Sequence, residues 1–206
     1  MKLALSIFLS VTVLTSCAEE SDAFIRDKTT NEGSIKNGVY TSKQFGWSIK
    51  IHPSWEIITS SSEFDDVRKL GRAMIDDANL DLPQSKEPVK LLFAKKNVSS
   101  IVAIAEKIAP NNNVSIEQQA YAQKQVITKM YDTQGFPIME SGIDEGTLGG
   151  EKCGVVRFVI GQKPLQLWQL YYVFKRKGHW LSIIATFDNN TDRDEIYEAL
   201  NGCTFD

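Results

Sequence analysis

The sequence lacks most of the patterns that mark common enzymes. Only two of its 206 residues are histidines, and His52 and His179 stand far apart, without the spacing of metal ligands. It has no G-x-S-x-G element of a serine hydrolase, no Walker A motif and no G-x-G-x-x-G dinucleotide fingerprint. The sequence therefore predicts no catalytic residues, no metal and no cofactor.

An excess of positive charge is also missing. The formal net charge is −3, and charges of both signs are interspersed. A nucleic-acid-binding protein would instead carry a basic patch. The short basic cluster Lys175-Arg176-Lys177 is typical of a solvated hairpin tip. We expect no nucleic-acid partner.

The chain has a single long apolar run, at its N-terminus. Leu3 to Leu14 is mostly apolar over 12 residues, whereas a helix that crosses a bilayer needs roughly 20. Preceded by Met1-Lys2, this run is typical of the hydrophobic region of a signal peptide.

The four residues Leu14-Thr15-Ser16-Cys17 resemble the bacterial lipobox. The resemblance implies cleavage after residues 1–16 and a diacylglycerol thioether on Cys17, which would anchor the protein to a membrane. The alternative is an ordinary signal peptide followed by a chance cysteine. A lipid anchor predicts a location in the bacterial cell envelope, on the periplasmic side or at the cell surface.

Two further cysteines remain once Cys17 is assigned to lipidation. An exported compartment permits disulfides, and an even number allows a bridge between Cys153 and Cys203. The alternative is a pair of buried thiols in strands, a common setting for cysteine. Both interpretations stay open at this point.

The rest of the chain predicts a linker and one α+β domain. Residues 17–37 are polar and predict a lipid-anchored flexible linker, and residues 38–206 form the domain. Apolar spacing predicts a helix over 63–82, a second after a Ser115 N-cap, and a third ending at Gly202. The intervening apolar runs predict strands over 45–51, 55–58, 90–96, 101–108, 138–148, 152–160, 165–174 and 180–187. Short connections make neighbouring strands antiparallel, and the 55–58 run is expected to pair with the 45–51 run.

Both ends of this domain resemble the PsbP-like and Mog1p-like families. The resemblance rests on Gly38-Val39-Tyr40, on the aromatic strand and proline turn from Phe45 to Trp55, and on the segment from Tyr172 to Phe205. It implies an α/β/α sandwich around a central antiparallel sheet. It implies no reaction, because members of these families include photosystem subunits, a GTPase-binding protein and lipoproteins.

Aromatic residues are the remaining candidates for a binding site. A groove for a partner segment or an apolar ligand would draw on Trp47, Trp55, Trp168, Tyr172 and Trp180. The alternative is that these side chains pack the core. We expect a non-catalytic binding or accessory protein whose partner is an unknown envelope protein or a small ligand. The alternatives are an envelope hydrolase that uses His52 or His179 with a nearby Ser or Asp, and a carrier of a small apolar ligand.

Overall fold

The computed structural model describes residues 32–58, 61–80, 88–110 and 112–206. The strands in this part of the chain are β1 (Ser34–Lys36), β2 (Val39–Ser42), β3 (Trp47–Lys50), β4 (Glu56–Ile57), β5 (Val89–Lys96), β6 (Ser99–Lys107), β7 (Ile138–Leu148), β8 (Glu151–Ile160), β9 (Leu167–Arg176), β10 (His179–Phe187) and β11 (Thr204–Phe205). The helices are α1 (Ser61–Asp77), α2 (Ile116–Thr133) and α3 (Asn190–Asn201).

Seven strands form the central sheet, in the order β4-β5-β6-β10-β9-β8-β7, and every neighbouring pair is antiparallel. Tight turns impose this arrangement. In the β9–β10 hairpin, Lys177 and Gly178 both have positive φ, at 47° and 74°, which is the requirement of a two-residue turn that matches strand twist. The register that follows pairs Trp180 with Lys175.

A smaller sheet, in the order β1-β2-β3-β11, packs on one face of the central sheet. Its first strand pairs Ser34 with Thr41. Among the described residues the first strand residue is Ser34, inside the stretch assigned to the linker. Helix α3 belongs to the same layer, because Ile196 and Leu200 join the core cluster that contains Trp47 and Leu181.

Helix α2 covers the opposite face. It begins with the predicted capping box, in which the Ser115 hydroxyl accepts from Gln118 N–H and the Gln118 side chain accepts from Ser115 N–H. Gly154 in β8 lets the helix approach closely, since a Cβ there would lie 2.9 Å from the Cβ of Ala120. Helix α1 packs on α2 through a separate apolar cluster that includes Met74 and Met130.

The α+β class is confirmed, with a central antiparallel sheet between two helix-bearing layers. Two local expectations were wrong. The 55–58 segment does not pair with the first aromatic strand; its strand β4 pairs with β5, in the central sheet. Helix α1 ends at Asp77 because Asn79 takes a left-handed conformation (φ 49°), and Leu80 N–H then bonds back to Ile75 O at 3.2 Å. Residues 81–87, where the helix was expected to end, lie outside the described residues.

Candidate functional site

A polar cluster connects the turn after β3, the β5–β6 turn and helix α3. We call it the Glu195 cluster; its members are His52, Ser54, Trp55, Lys96, Ser99, Asp192 and Glu195. Glu195 Oε2 accepts from the Trp55 indole N–H at 2.6 Å and from Lys96 Nζ at 2.8 Å. Lys96 Nζ also lies 2.9 Å from Asp192 Oδ1, and Ser99 Oγ donates to Asp192 Oδ2 at 2.7 Å.

Charges in this cluster stabilise one another. The hydrogen bonds to Glu195 and Asp192 raise the pKa of Lys96. The hydrogen bond from Lys96 lowers the pKa of Glu195. Burial raises the pKa of Asp192, but hydrogen bonds from Ser99 and Lys96 outweigh this effect, so the net shift is downward. All three groups are therefore charged at neutral pH, and they hold α3 against the β5–β6 turn.

His52 is one of the two histidines that a hydrolase would require. Its Nδ1 lies 2.8 Å from Ser54 Oγ and 3.6 Å from Glu195 Oε1. A catalytic triad places the serine at one ring nitrogen and the carboxylate at the other. Here a single nitrogen faces both groups, and Ser54 Oγ itself lies 3.4 Å from Glu195 Oε2. This geometry does not form a triad.

The second histidine supports a turn. His179 Nδ1 lies 2.9 Å from the Lys177 carbonyl oxygen, within the β9–β10 hairpin. Its ring packs edge-on against Phe45, with ring centroids 5.1 Å apart. The first contact lies within the hairpin turn, and the second packs the hairpin against the connection between β2 and β3.

Across residues 32–58, 61–80, 88–110 and 112–206, no three His, Cys, Asp or Glu side chains are grouped so that they could hold a metal ion. Nor does any helix within those ranges have the length and apolar character needed to cross a membrane.

The five aromatic residues expected to form a groove do not line one surface. Trp47 is fully buried between the two sheets, and Trp55 is buried in the same core cluster. Trp180 is also buried, but on the opposite face of the central sheet. It pairs with Lys175, and paired residues of neighbouring strands share a face. Lys175 lies seven positions after Trp168 in β9, and side chains alternate along a strand, so Trp180 and Trp168 lie on opposite faces. Only Trp168 and Tyr172 are partly exposed on a shared face.

A third aromatic residue joins these two, and it was not predicted from the sequence. Tyr197 in α3 has 37% of its surface exposed. Phe187 lies beneath it: the Phe187 ring stacks on Trp168 at 6.0 Å and meets Tyr197 edge-on at 6.2 Å. Burial raises the pKa of Tyr172, and an electrostatic interaction with Tyr197 adds to the effect. We call Trp168, Tyr172 and Tyr197 the β9–α3 aromatic surface.

The neighbouring strand β8 extends this surface. Val159 lies opposite Trp168 and Val155 opposite Tyr172, and both valines are partly exposed. Between them, Arg157 Nε is 2.6 Å from Asp144 Oδ2, with both side chains about half exposed. The result is an apolar strip that carries aromatic hydroxyls and an ion pair. The helical period of α3 could have pointed to Tyr197, because this residue follows the inward-facing Ile196 and so lies next to the buried side of the helix.

Of the three cysteines, Cys153 and Cys203 lie among the described residues. Cys17 lies outside the described residues, so its lipidation stays a prediction. Cys153 and Cys203 are both buried and are free thiols in the structure. Burial, with a smaller contribution from Cys203, raises the pKa of Cys153 to about 11. The predicted bridge between them is therefore not present here and stays a prediction.

Comparison with known proteins identifies similar folds only. No family model and no curated protein matches the sequence. The solution structure of cyanobacterial PsbP (CyanoP) from Synechocystis sp. PCC 6803 is similar, at 8% identity and a TM-score of 0.48; the match covers 84% of this chain and 98% of that one. It bears the name of one of the families that the chain's ends resemble.

A second similar structure is that of LpqN, a protein involved in cell envelope biogenesis of Mycobacterium tuberculosis. The identity is 13% and the TM-score 0.45, and the match covers 77% of this chain and 82% of that one. Similarity at these levels carries no argument about function.

Proposed function

We propose that this chain is a non-catalytic accessory protein of the bacterial cell envelope, anchored by lipid on Cys17, and that it binds a partner protein through the β9–α3 aromatic surface. The anchor rests on the signal-like N-terminus and its lipobox resemblance. The binding role rests on one observation: Trp168, Tyr172 and Tyr197 share a partly exposed patch of the sheet–helix layer.

The chemistry of this surface favours a protein partner. Tryptophan and tyrosine dominate the energetic centres of protein interfaces, because each presents a large apolar area with one polar group. The strip formed by Val155 and Val159 adds apolar area, and the Arg157–Asp144 ion pair supplies a polar rim. A small apolar ligand would instead need a concave site that buries most of its surface. The side chains named here lie along a sheet face.

The Glu195 cluster supports the non-catalytic assignment. A hydrolase needs a free base at the serine, yet His52 presents the same Nδ1 to Ser54 and to Glu195. Glu195 is already occupied by Trp55 and Lys96. We assign this cluster a structural role.

The anchor would keep the surface close to the membrane. Sixteen residues separate Cys17 from Ser34, the first residue of β1. Even fully extended, they span at most about 55 Å. The partner is therefore expected in or near the same membrane.

Anchoring is tested by labelling cells with a fatty-acid probe. The wild-type protein should incorporate the probe and migrate as the processed form. The Cys17→Ala variant should accumulate as an unlabelled precursor, and persistent labelling of this variant would disprove the anchor.

Partner binding is tested by isolating the tagged protein from solubilised membranes. The double variant Trp168→Ala/Tyr197→Ser should lose a co-isolated protein that the wild type retains. Tyr121→Ser is the matched control, because Tyr121 is an exposed tyrosine (59%) on α2, away from this surface. Equal recovery of the partner by the wild type and the double variant would refute the surface assignment.

A further inference from the structure

The two buried cysteines sit where two layers of the domain meet. Cys153 is in β8, in the central sheet. Cys203 lies between α3 and β11, the segment that completes the small sheet. Each has only 3% of its surface exposed, and both belong to the core cluster between the layers.

Cys203 approaches the β7–β8 hairpin, which carries Cys153. Cys153 pairs with Gly146 across β7 and β8, and its Sγ lies 3.4 Å from where a Cβ on Gly146 would be. The Cys203 carbonyl oxygen lies 3.1 Å from where a Cβ on Gly149 would be, in the turn of that hairpin. Both thiols also act on Tyr172, whose pKa is raised by burial and, to a smaller extent, by each of them.

We propose that Cys153 and Cys203 form a disulfide in the exported protein, and that this bridge fixes α3 and β11 to the central sheet. The bond would join the central sheet to the layer formed by the small sheet and α3, across the core that they share. Tyr197 lies in the helix that ends just before Cys203, so the bridge would also hold Tyr197 beside Trp168. This last consequence rests on the proposed function, but the bridge itself does not.

The reaction is a thiol–disulfide exchange with an oxidised dithiol protein or glutathione disulfide as the oxidant. One cysteine thiolate attacks the oxidant's disulfide and releases one oxidant thiolate. The other cysteine thiolate then attacks the mixed disulfide, which forms the Cys153–Cys203 bond and releases the second oxidant thiolate. The two protons lost by the cysteines end on the oxidant, which leaves as two thiols.

The structure indicates when the bridge would form. Exchange needs a thiolate and access to the oxidant. In the folded domain both thiols are buried, and burial raises the pKa of each. Oxidation is therefore expected before the core closes, and the finished bridge is expected to resist reduction until the domain opens.

The direct test uses the full-length protein in its own envelope. Cells are quenched with acid, free thiols are blocked with N-ethylmaleimide under denaturing conditions, and the protein is digested without reductant for mass spectrometry. We expect a linked pair of peptides containing Cys153 and Cys203 that separates on reduction. Maleimide on both peptides, or a link that involves Cys17, would overturn the proposal.

A second measurement is made on the purified protein and does not depend on trapping the bridge in cells. The purified full-length protein is refolded with glutathione disulfide or with a reductant, and its thermal midpoint is compared. A bridge that closes a loop of roughly 50 residues should raise the midpoint by on the order of 10 °C.

The double variant Cys153→Ala/Cys203→Ala is the control. It should show the same midpoint under both conditions, near that of the reduced wild type. If the wild type also shows no difference between the two conditions, no bridge forms. Loss of partner binding with an intact bridge would instead count against the proposed function alone.

Discussion

The two faces of the central sheet are covered in different ways. The face beneath α2 contains a buried hydrogen-bond network: the Tyr131 and Tyr171 hydroxyls both donate to Gln169 Oε1, at 2.6 and 3.2 Å, and Gln169 Nε2 reaches Thr186 at 3.5 Å. On the other face, the small sheet and α3 leave Trp168 and Tyr172 partly exposed. The first arrangement stabilises the fold, and the second leaves apolar surface that the fold does not require.

Removing Gln169 should produce the largest loss of stability. The change Gln169→Leu removes the acceptor that two buried tyrosine hydroxyls share, and losing a buried hydrogen-bond partner costs about 1–3 kcal/mol. We expect the free energy of unfolding, measured in urea, to fall by about 3 kcal/mol. Gln162→Leu, at an exposed turn position, is the matched control and should change it by less than about 0.5 kcal/mol. Equal effects of the two changes would show that the buried network does not stabilise this face.

Adding one methyl group to each face gives a second comparison. In Gly154→Ala, the new Cβ would lie 2.9 Å from the Ala120 Cβ and 3.3 Å from Ile116 Cγ2, so α2 must move. We expect a cost of about 1–3 kcal/mol. In Gly142→Ala, the nearest atom is the end of the flexible Arg157 side chain, at 3.2 Å. This change should be tolerated within about 0.5 kcal/mol, and a reversed order of the two would contradict the packing described here.

The Glu195 cluster should give a smaller, pH-dependent effect. Lowered pKa values mean that the charges of Asp192 and Glu195 stabilise the fold above about pH 4 and lose this effect as the pH falls further. The raised pKa of Lys96 means that its contribution holds below about pH 10 and is lost at higher pH. Lys96→Met should therefore lower the urea midpoint near pH 7, and the difference from wild type should shrink in acid.

Lys95 supplies the control for this cluster. Its ammonium lies 3.5 Å from Glu56, in an exposed ion pair that contributes little to stability. Lys95→Met should leave the urea midpoint nearly unchanged at every pH. A difference between Lys96→Met and the wild type that is independent of pH would rule out the ionic explanation.

The smallest effect on stability is expected at Tyr197. Its side chain is 37% exposed and touches the core only through the ring edge of Phe187, so Tyr197→Ser should change the free energy of unfolding by about 1 kcal/mol or less. Partner binding should nevertheless weaken. A large loss of stability would show that Tyr197 belongs to the core and would remove it from the binding surface.

Local signals in the sequence predicted much of this fold. The Ser115–Gln118 capping box and the Lys177-Gly178 turn act between near neighbours, so the start of α2 and the β9–β10 hairpin follow from them. The end of α1 was missed because the apolar spacing continues to Leu82, whereas Asn79 ends the helix through its backbone conformation. The partner of β4 was missed because strand pairing across nearly 40 residues leaves no local pattern.

The division of the five aromatic residues between two faces was missed for a related reason. Alternation within β9 correctly placed Trp168 and Tyr172 on one face. The face of Trp180 depends on the register between β9 and β10, which pairs it with Lys175. Once the two-residue turn is recognised, this register can be counted from the sequence, and it places Trp180 on the opposite face.

The central claim is that the β9–α3 aromatic surface contacts a partner, and site-specific photocrosslinking in cells tests it most directly. A photoreactive phenylalanine analogue replaces Tyr197 in one strain and Tyr121, on the other side of the domain, in a second. We predict that position 197 yields one discrete adduct, that Trp168→Ala in the same chain abolishes it, and that position 121 does not yield it. Equal adducts at both positions, or an adduct at 197 that survives Trp168→Ala, would contradict the claim.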